Sequence, residues 1–143
     1  MTAAKRWSDN WLVVSPTGAV RVDIPRGNKR ATLARVGRLP KGTPVVLAAA
    51  APGAARRCRA FAAATDVKLE REYLTFPSPG APAYLVEDAS AAVHFFSQKV
   101  LAAPPGIRMS ASVEAALKVV RVLSRRGLLG MLAPGRVAIG RRS

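Results

Sequence analysis

Apolar positions near the start of the chain follow two patterns. Residues 11–14 are an apolar run, and residues 20–24 alternate apolar and charged side chains with a period of two. The segment 15–18 between them has the composition of a turn, with a proline preset for its second position. These segments predict a β-hairpin. A basic loop at 25–30 and two helical turns at 31–39, ended by a proline, are expected to follow.

The middle of the chain predicts a strand, a helix and a second strand. Residues 43–50 form a continuous apolar run, which is typical of a strand buried on both faces in a parallel sheet. Residues 54–65 have strong helix propensity, and residues 67–74 alternate apolar and charged positions. This order predicts a right-handed crossover unit. Prolines in 77–82 then take the chain out of the sheet, and 83–86 is expected to return antiparallel.

The last third of the chain predicts two helices and one strand. Residues 90–101 have helical spacing and end before the proline-rich break at 104–106. Ser112 suits the N-cap of a second amphipathic helix over 113–126, and a short last strand follows at 136–139 before a basic tail. The elements together predict an α/β fold with a mixed, mostly parallel sheet, flanking helices and a terminal antiparallel hairpin.

The length of 143 residues suits one domain that covers 1–143. Aromatic residues make up only 6% of the chain, so an aliphatic core is expected. No apolar run reaches the roughly 18 to 20 residues that span a bilayer. The first basic residues are not followed by the apolar stretch of a secretory signal. We therefore expect no transmembrane segment and a cytoplasmic location.

The net charge of +15 is concentrated in two flanks of the sequence. Residues 1–65 hold twelve Lys and Arg against two acidic residues, and 105–143 hold eight against one. The segment 66–104 carries five acidic and three basic residues and is mildly acidic. This asymmetry indicates a polarised surface for an anionic partner such as nucleic acid, a phosphorylated ligand, an acidic protein or a membrane. A chain rich in Ala, Arg, Gly and Pro also acquires such a charge from genomic composition alone.

One candidate anion site lies where the buried strand meets its helix. A small-residue turn between a strand and a helix exposes backbone amides to which a phosphate binds. Residues 45–57 have this composition, with Arg56 and Arg57 in the first helical turn, where cations oppose the helix dipole. An anion would compensate these two charges. With one glycine, the segment is more typical of a plain strand-to-helix turn.

Two further groups are candidate binding residues. The helix 113–126 has a basic face that suits nucleic acid or an anionic membrane, and it is also typical of a solvated helix face. Its basic side chains are Lys118, Arg121, Arg125 and Arg126. The proline-rich tip 77–82 is a candidate recognition loop or a rigid hairpin end. The aromatic residues around it are Tyr73, Phe76 and Tyr84.

No combination of residues predicts catalysis or metal binding. Cys58 is the only cysteine and has no neighbour at metal-ligand spacing, so a buried, inert thiol is expected. The only histidine, His94, has no nucleophile near it in the sequence and is expected to be structural. Glu87 and Asp88 suit either acid–base chemistry or the start of a helix. We expect no catalytic residue, no metal and no cofactor.

The segment 44–86 contains Val45-Val46-Leu47, the helix through Arg59-Ala60-Phe61, the strand 67–73 and the hairpin 76–86. Together these pieces resemble the C-terminal half of class I S-adenosylmethionine-dependent methyltransferases. The hairpin most resembles an actinobacterial methyltransferase-like type associated with glycan and secondary-metabolite clusters. The resemblance implies a Rossmann-like half sheet. The glycine-rich cofactor loop and the ribose-binding acidic residue of that family have no counterpart, so the resemblance implies a degenerate member without the methyl-donor site.

Three functions are compatible with these features. The first is an accessory, non-catalytic methyltransferase-like domain that binds a partner protein or a phosphorylated or glycan-type ligand through its basic surface. The second is a nucleic-acid-binding protein that uses the same arginines. The third is a small transferase whose site is completed at the interface of a homo-oligomer.

Overall fold

The computed structural model describes residues 8–100, 110–125, 128, 130 and 133–143. The start of the chain, Leu101, the break at 104–106 and Arg126 lie outside the described residues. The elements in chain order are a 3₁₀ helix (Asn10–Val13), β1 (Val20–Asp23), α1 (Arg30–Gly37), β2 (Pro44–Ala50), α2 (Ala54–Ala64), β3 (Val67–Phe76), β4 (Tyr84–Glu87), α3 (Ser90–Phe95), a π-helical turn (Phe96–Val100), α4 (Ala111–Arg125) and β5 (Gly135–Arg142).

The fold is α/β, with flanking helices and one five-stranded mixed sheet in the order β1-β2-β5-β3-β4. Among the described strands, β1 and β2 pair in parallel and the other three pairings are antiparallel. The expectation of a mostly parallel sheet is therefore corrected. The reason is β5, which lies between β2 and β3 and runs against both. β2 and β3 point the same way, as a crossover unit requires, but they are not neighbours.

The predicted hairpin between 11–14 and 20–24 is wrong. The first segment is a 3₁₀ helix, and β1 pairs with β2 instead. Trp11 and Val14, three residues apart, pack on the sheet, while Leu12 and Val13 are exposed, so the apolar run has helical rather than strand periodicity. The guanidinium of Arg21 lies 5.0 Å from the Trp11 ring centroid and joins this segment to β1.

β2 is buried on both faces, as its apolar run predicts. Val45, Leu47 and Ala49 face α1 and α2. They form the first core cluster with residues of these helices, among them Phe61 of α2. Val46 and Ala48 face the opposite side of the sheet, where the 3₁₀ helix packs. A second cluster on the helix-covered side, built on Leu74, lies under α3 and α4.

The hairpin of β3 and β4 and the helix 90–100 are confirmed, the latter as α3 continued by the π-helical turn. α4 begins at Ala111, so Ser112 lies in the first turn and is not the N-cap. The short last strand is longer than predicted: β5 includes Arg141 and Arg142, which were expected to form a tail. β5 approaches β3 so closely that a Cβ at Gly140 would collide with the carbonyl oxygen of Lys68.

Candidate anion-binding site

The junction between β2 and α2 is built from small residues. Gly53 has a φ of 71°, a left-handed conformation that glycine adopts without strain, and α2 begins at the next residue. No described side chain caps the first turn of α2, and no acidic residue lies within that turn. The positive end of the α2 dipole therefore has no acidic side chain from its own first turn to offset it.

Two arginines converge on the carboxyl end of β2. Arg26, from the loop after β1, donates to the carbonyl oxygen of Ala51, and Arg57, from the first turn of α2, donates to that of Ala50. The Nε and Nη1 atoms of Arg57 are buried and have no hydrogen-bond acceptor among the described residues. Arg26 and Arg57 thus bind consecutive backbone carbonyls, and Arg57 retains two donor atoms without a described acceptor.

A small pocket of about 230 Å³ opens beside this junction. Arg56 is its only charged lining residue among those described, and the other lining residues are small, so the backbone at the start of α2 is accessible. The lining consists of Ala51, Gly53, Ala54, Ala55, Arg56, Gly130 and Ala133. Its volume suits a small group rather than a large ligand, and Arg56 gives its mostly apolar lining a positive charge.

The chain segment that contains the junction is strongly basic. Residues 24–65 contain nine Lys and Arg and no acidic residue. In the described part of the chain, only Arg59 of these nine forms a salt bridge. Asp23, just before the segment, is already bound by Arg21 at 3.0 Å. We call the other eight the unpaired cations: Arg26, Lys29, Arg30, Arg35, Arg38, Lys41, Arg56 and Arg57.

The helix α4, which carries the predicted basic face, and the helix α2, which carries Arg56 and Arg57, pack on different core clusters. α4 packs through Val120 on the cluster around Leu74, whereas α2 packs on the cluster of β1 and β2. Lys118 is exposed and Arg121 is half-buried. Arg125 ends α4, and Arg126 is not among the described residues. The structure therefore separates the two groups of candidate cations by the cores that support them.

The three aromatic residues predicted around the hairpin tip do not form one surface. Tyr73 is buried in the core on the face of the sheet covered by the 3₁₀ helix. Phe76 points to the other face, where its ring stacks on Phe96 at 5.1 Å. Tyr84 also contacts Phe96, with ring centroids 5.4 Å apart, and remains about half exposed. Of the three, only Tyr84 offers an aromatic surface for recognition.

A buried charge network was missed by the sequence reasoning. Arg136 on β5, with only 4% of its side chain exposed, bonds Glu72 on β3 and Asp88 after β4, the latter at 2.6 Å. Arg59 on α2 binds the same Glu72 through two bonds of 2.9 and 3.2 Å. These partners are 64, 48 and 13 residues apart, so no local motif reveals them. A charged cleft of about 290 Å³ lies beside Arg59, Glu72 and Asp88.

The structure also shows the surroundings of three titratable side chains considered for chemistry, Cys58, His94 and Asp88. Cys58 is fully buried, as predicted. Burial, with a smaller contribution from the charge of Glu72, raises the pKa of its thiol to about 12, so it is a poor nucleophile. His94 is exposed on α3. Asp88 is engaged by Arg136 rather than paired with Glu87 for acid–base work.

The described residues contain no group of three or more His, Cys, Asp or Glu side chains able to hold a metal ion. None of the helices in the described ranges has the length and apolar character needed to cross a bilayer.

Comparison with known proteins adds no relative to this picture. The chain matches no protein-family model, and neither the curated proteins nor the solved structures contain a significant match. The structure itself shows an α/β fold in which two arginines bind the carboxyl end of β2.

Proposed function

We propose that this chain is an accessory, non-catalytic methyltransferase-like domain that binds a phosphorylated ligand. Arg26, Arg56 and Arg57 hold the phosphate at the carboxyl end of β2. A phosphorylated glycan or a phosphorylated partner protein presents the same chemical group, and the site recognises that group rather than the remainder of the ligand.

The state of Arg57 carries this proposal. A buried N–H group without an acceptor costs about 1–3 kcal/mol, and Arg57 has two such donor atoms. A phosphate oxygen would accept from either of these atoms, because guanidinium groups form strong charge-assisted hydrogen bonds with phosphate. The uncapped start of α2 supplies further donors on the adjacent pocket.

The methyltransferase-like part of the proposal rests on the order of the elements. β2, α2 and the β3–β4 hairpin correspond to the segments that resemble the C-terminal half of a class I methyltransferase. A Rossmann-like origin explains a ligand at the carboxyl end of β2, because open α/β sheets bind ligands at this end of their parallel strands. Since the chain lacks the family's glycine-rich loop and ribose-binding acidic residue, we propose binding without methyl transfer.

Calorimetric titration of the whole chain with pyrophosphate and with glucose 1-phosphate tests the proposal. We expect saturable binding, weakened at least tenfold by Arg57→Gln, which removes the positive charge and the Nε and Nη1 donors. Arg56→Gln, at an exposed residue, should also weaken binding without affecting folding. Lys68→Gln, an equal loss of charge at an exposed position of β3, is the control and should bind as the wild type does.

Two outcomes would contradict the proposal. Equal affinity of the Arg57→Gln and Lys68→Gln variants, both folded by circular dichroism, would mean that the junction is not the site. Saturable heat on titration with S-adenosylmethionine would contradict the non-catalytic role, because it would demonstrate a donor site in this chain.

A further inference from the structure

A second surface of the molecule, distinct from the β2–α2 junction, is formed by one side of α1. Val36 is buried and Leu33 packs against the core, and these two residues define the inner side of the helix. The helical repeat of 3.6 residues turns Arg30, Arg35 and Arg38 to the outer side, and all three are exposed. Lys29 and Lys41 flank them. We call these five residues the α1 cation face.

The positive charge of this face is not neutralised within the described chain. None of its five residues forms a salt bridge there. Arg35 donates to the backbone carbonyl of Arg21 at 3.1 Å, which orients its guanidinium without cancelling its charge. The nearby carboxylate of Asp23 is bound to Arg21 and contributes little net negative potential.

The spacing of these cations suits a polyanion rather than a single phosphate. Arg30 and Arg38 are eight residues apart, which corresponds to about 12 Å along a helix axis at 1.5 Å per residue. Successive phosphates of one nucleic-acid strand advance by about 3.4 Å along the duplex axis. The α1 cation face therefore spans several phosphates at once.

The absence of large exposed apolar side chains favours nucleic acid over a membrane. In the described part of the chain, no exposed large hydrophobic residue lies between Val13 and Tyr84. A helix that binds a bilayer surface inserts such side chains, whereas the exposed uncharged residues of α1 are Ala31, Ala34 and Gly37. α1 also carries no aromatic residue on which an unpaired base can stack, so a duplex backbone fits better than a single strand.

We propose that the α1 cation face binds the phosphate backbone of double-stranded nucleic acid without reading its sequence. We expect no contact with adenine edges, because α1 has no Asn or Gln side chain, and we assign its arginines to the phosphates. Binding depends on release of counterions from the phosphates, and its affinity falls steeply as salt concentration rises.

Fluorescence anisotropy with a labelled 20-base-pair DNA duplex and the whole chain tests this proposal. The double variant Arg35→Gln with Arg38→Gln is expected to bind at least tenfold more weakly at about 100 mM salt. The slope of log affinity against log salt should decrease by about 2, roughly one for each lost phosphate contact. Two duplexes of unrelated sequence should bind equally.

Matched variants make the result specific to α1. Lys68→Gln with Arg71→Gln removes the same charge from exposed positions of β3 and should bind DNA as the wild type does. Arg56→Gln with Arg57→Gln should retain DNA binding, which separates this proposal from the phosphate site. Equal loss of binding in the β3 and α1 variants would overturn the proposal in favour of net charge alone. Binding to phosphatidylglycerol vesicles without binding to duplex would overturn it in favour of a membrane.

Discussion

Arginines in two regions of this molecule bind different kinds of acceptor. On β5, Arg136, Arg141 and Arg142 each bond a carboxylate contributed by β3 or by its ends. In the stretch that contains β1, α1, β2 and the start of α2, the unpaired cations bond backbone carbonyls or no described acceptor. The first region uses guanidinium groups to join strands. The second leaves them available for an external anion.

Burial explains why the two regions differ. A buried charge without a partner costs several kcal/mol, so Arg136 exists in the core only because Glu72 and Asp88 accompany it. An exposed cation is solvated by water and needs no partner, and most of the unpaired cations are exposed. Arg57 is the intermediate case, because it is half-buried and only part of its guanidinium is bonded.

The largest expected effect is on Arg136. We expect Arg136→Leu to lower the free energy of unfolding by about 3–5 kcal/mol, because the carboxylates of Glu72 and Asp88 are left without their cation. Urea unfolding followed by circular dichroism measures this change. Arg141→Gln is the matched control on the same strand, where the ion pair with Glu70 is half-exposed and is expected to contribute less than about 1 kcal/mol. A loss below 1 kcal/mol for Arg136→Leu would show that the paired region is not structural.

Charges from both regions affect the pKa of the Cys58 thiol, because Glu72, Arg136 and Arg57 all act on it. Its pKa of about 12, raised from 9.0, predicts a thiolate fraction at pH 8 about a thousandfold below that of an exposed thiol. A chromogenic disulfide reagent should therefore label Cys58 only after unfolding. Rapid labelling of the native protein would contradict the burial of this residue.

The same shift gives a pH dependence with a definite sign. Above pH 9.0 the unfolded chain ionises this thiol while the folded chain keeps it neutral up to about pH 12, so unfolding releases a proton. The stability contributed by Cys58 is complete below pH 9.0 and is lost as the pH rises toward 12. Cys58→Ala should show a smaller alkaline loss of stability than the wild type, measured by urea unfolding at pH 8 and at pH 10.5.

The local elements of the fold could be predicted from the sequence, and the sheet order could not. The continuous apolar run of β2 and the alternation in β3 identify strands, because burial imposes these patterns locally. Nothing local indicates that β5 enters between β2 and β3, since insertion depends on pairing across sixty or more residues. The error at Trp11 has a different origin, because a run of four apolar residues fits both a strand and a turn of helix.

The candidate site was predictable in part for the same reason. Arg56 and Arg57 stand out because two cations in the first turn of a helix oppose its dipole, which is a local property. Arg26 joins them only through the parallel pairing of β1 with β2, and Arg136 meets Glu72 only through the register of β5. Partners that are brought together by sheet pairing leave no periodic signal in the sequence.

The smallest expected effect distinguishes the two regions by their response to salt. Eight unpaired cations within 26–57 repel one another, and this repulsion destabilises the folded chain slightly. Raising sodium chloride from about 20 to 300 mM shortens the screening length from roughly 20 to 6 Å, so the wild-type Tm is expected to rise by a few degrees. The Arg35→Gln and Arg38→Gln double variant should show a smaller rise, because two of the repelling charges are absent. The Arg141→Gln and Arg142→Gln double variant should show a rise in Tm equal to or larger than that of the wild type. Salt weakens the attraction between these arginines and their carboxylates in the wild type, and the variant no longer has that attraction to lose. A fall of the wild-type Tm with salt would mean that the attractive pairs of β3 and β5, rather than the unpaired cations, dominate the electrostatic free energy of folding.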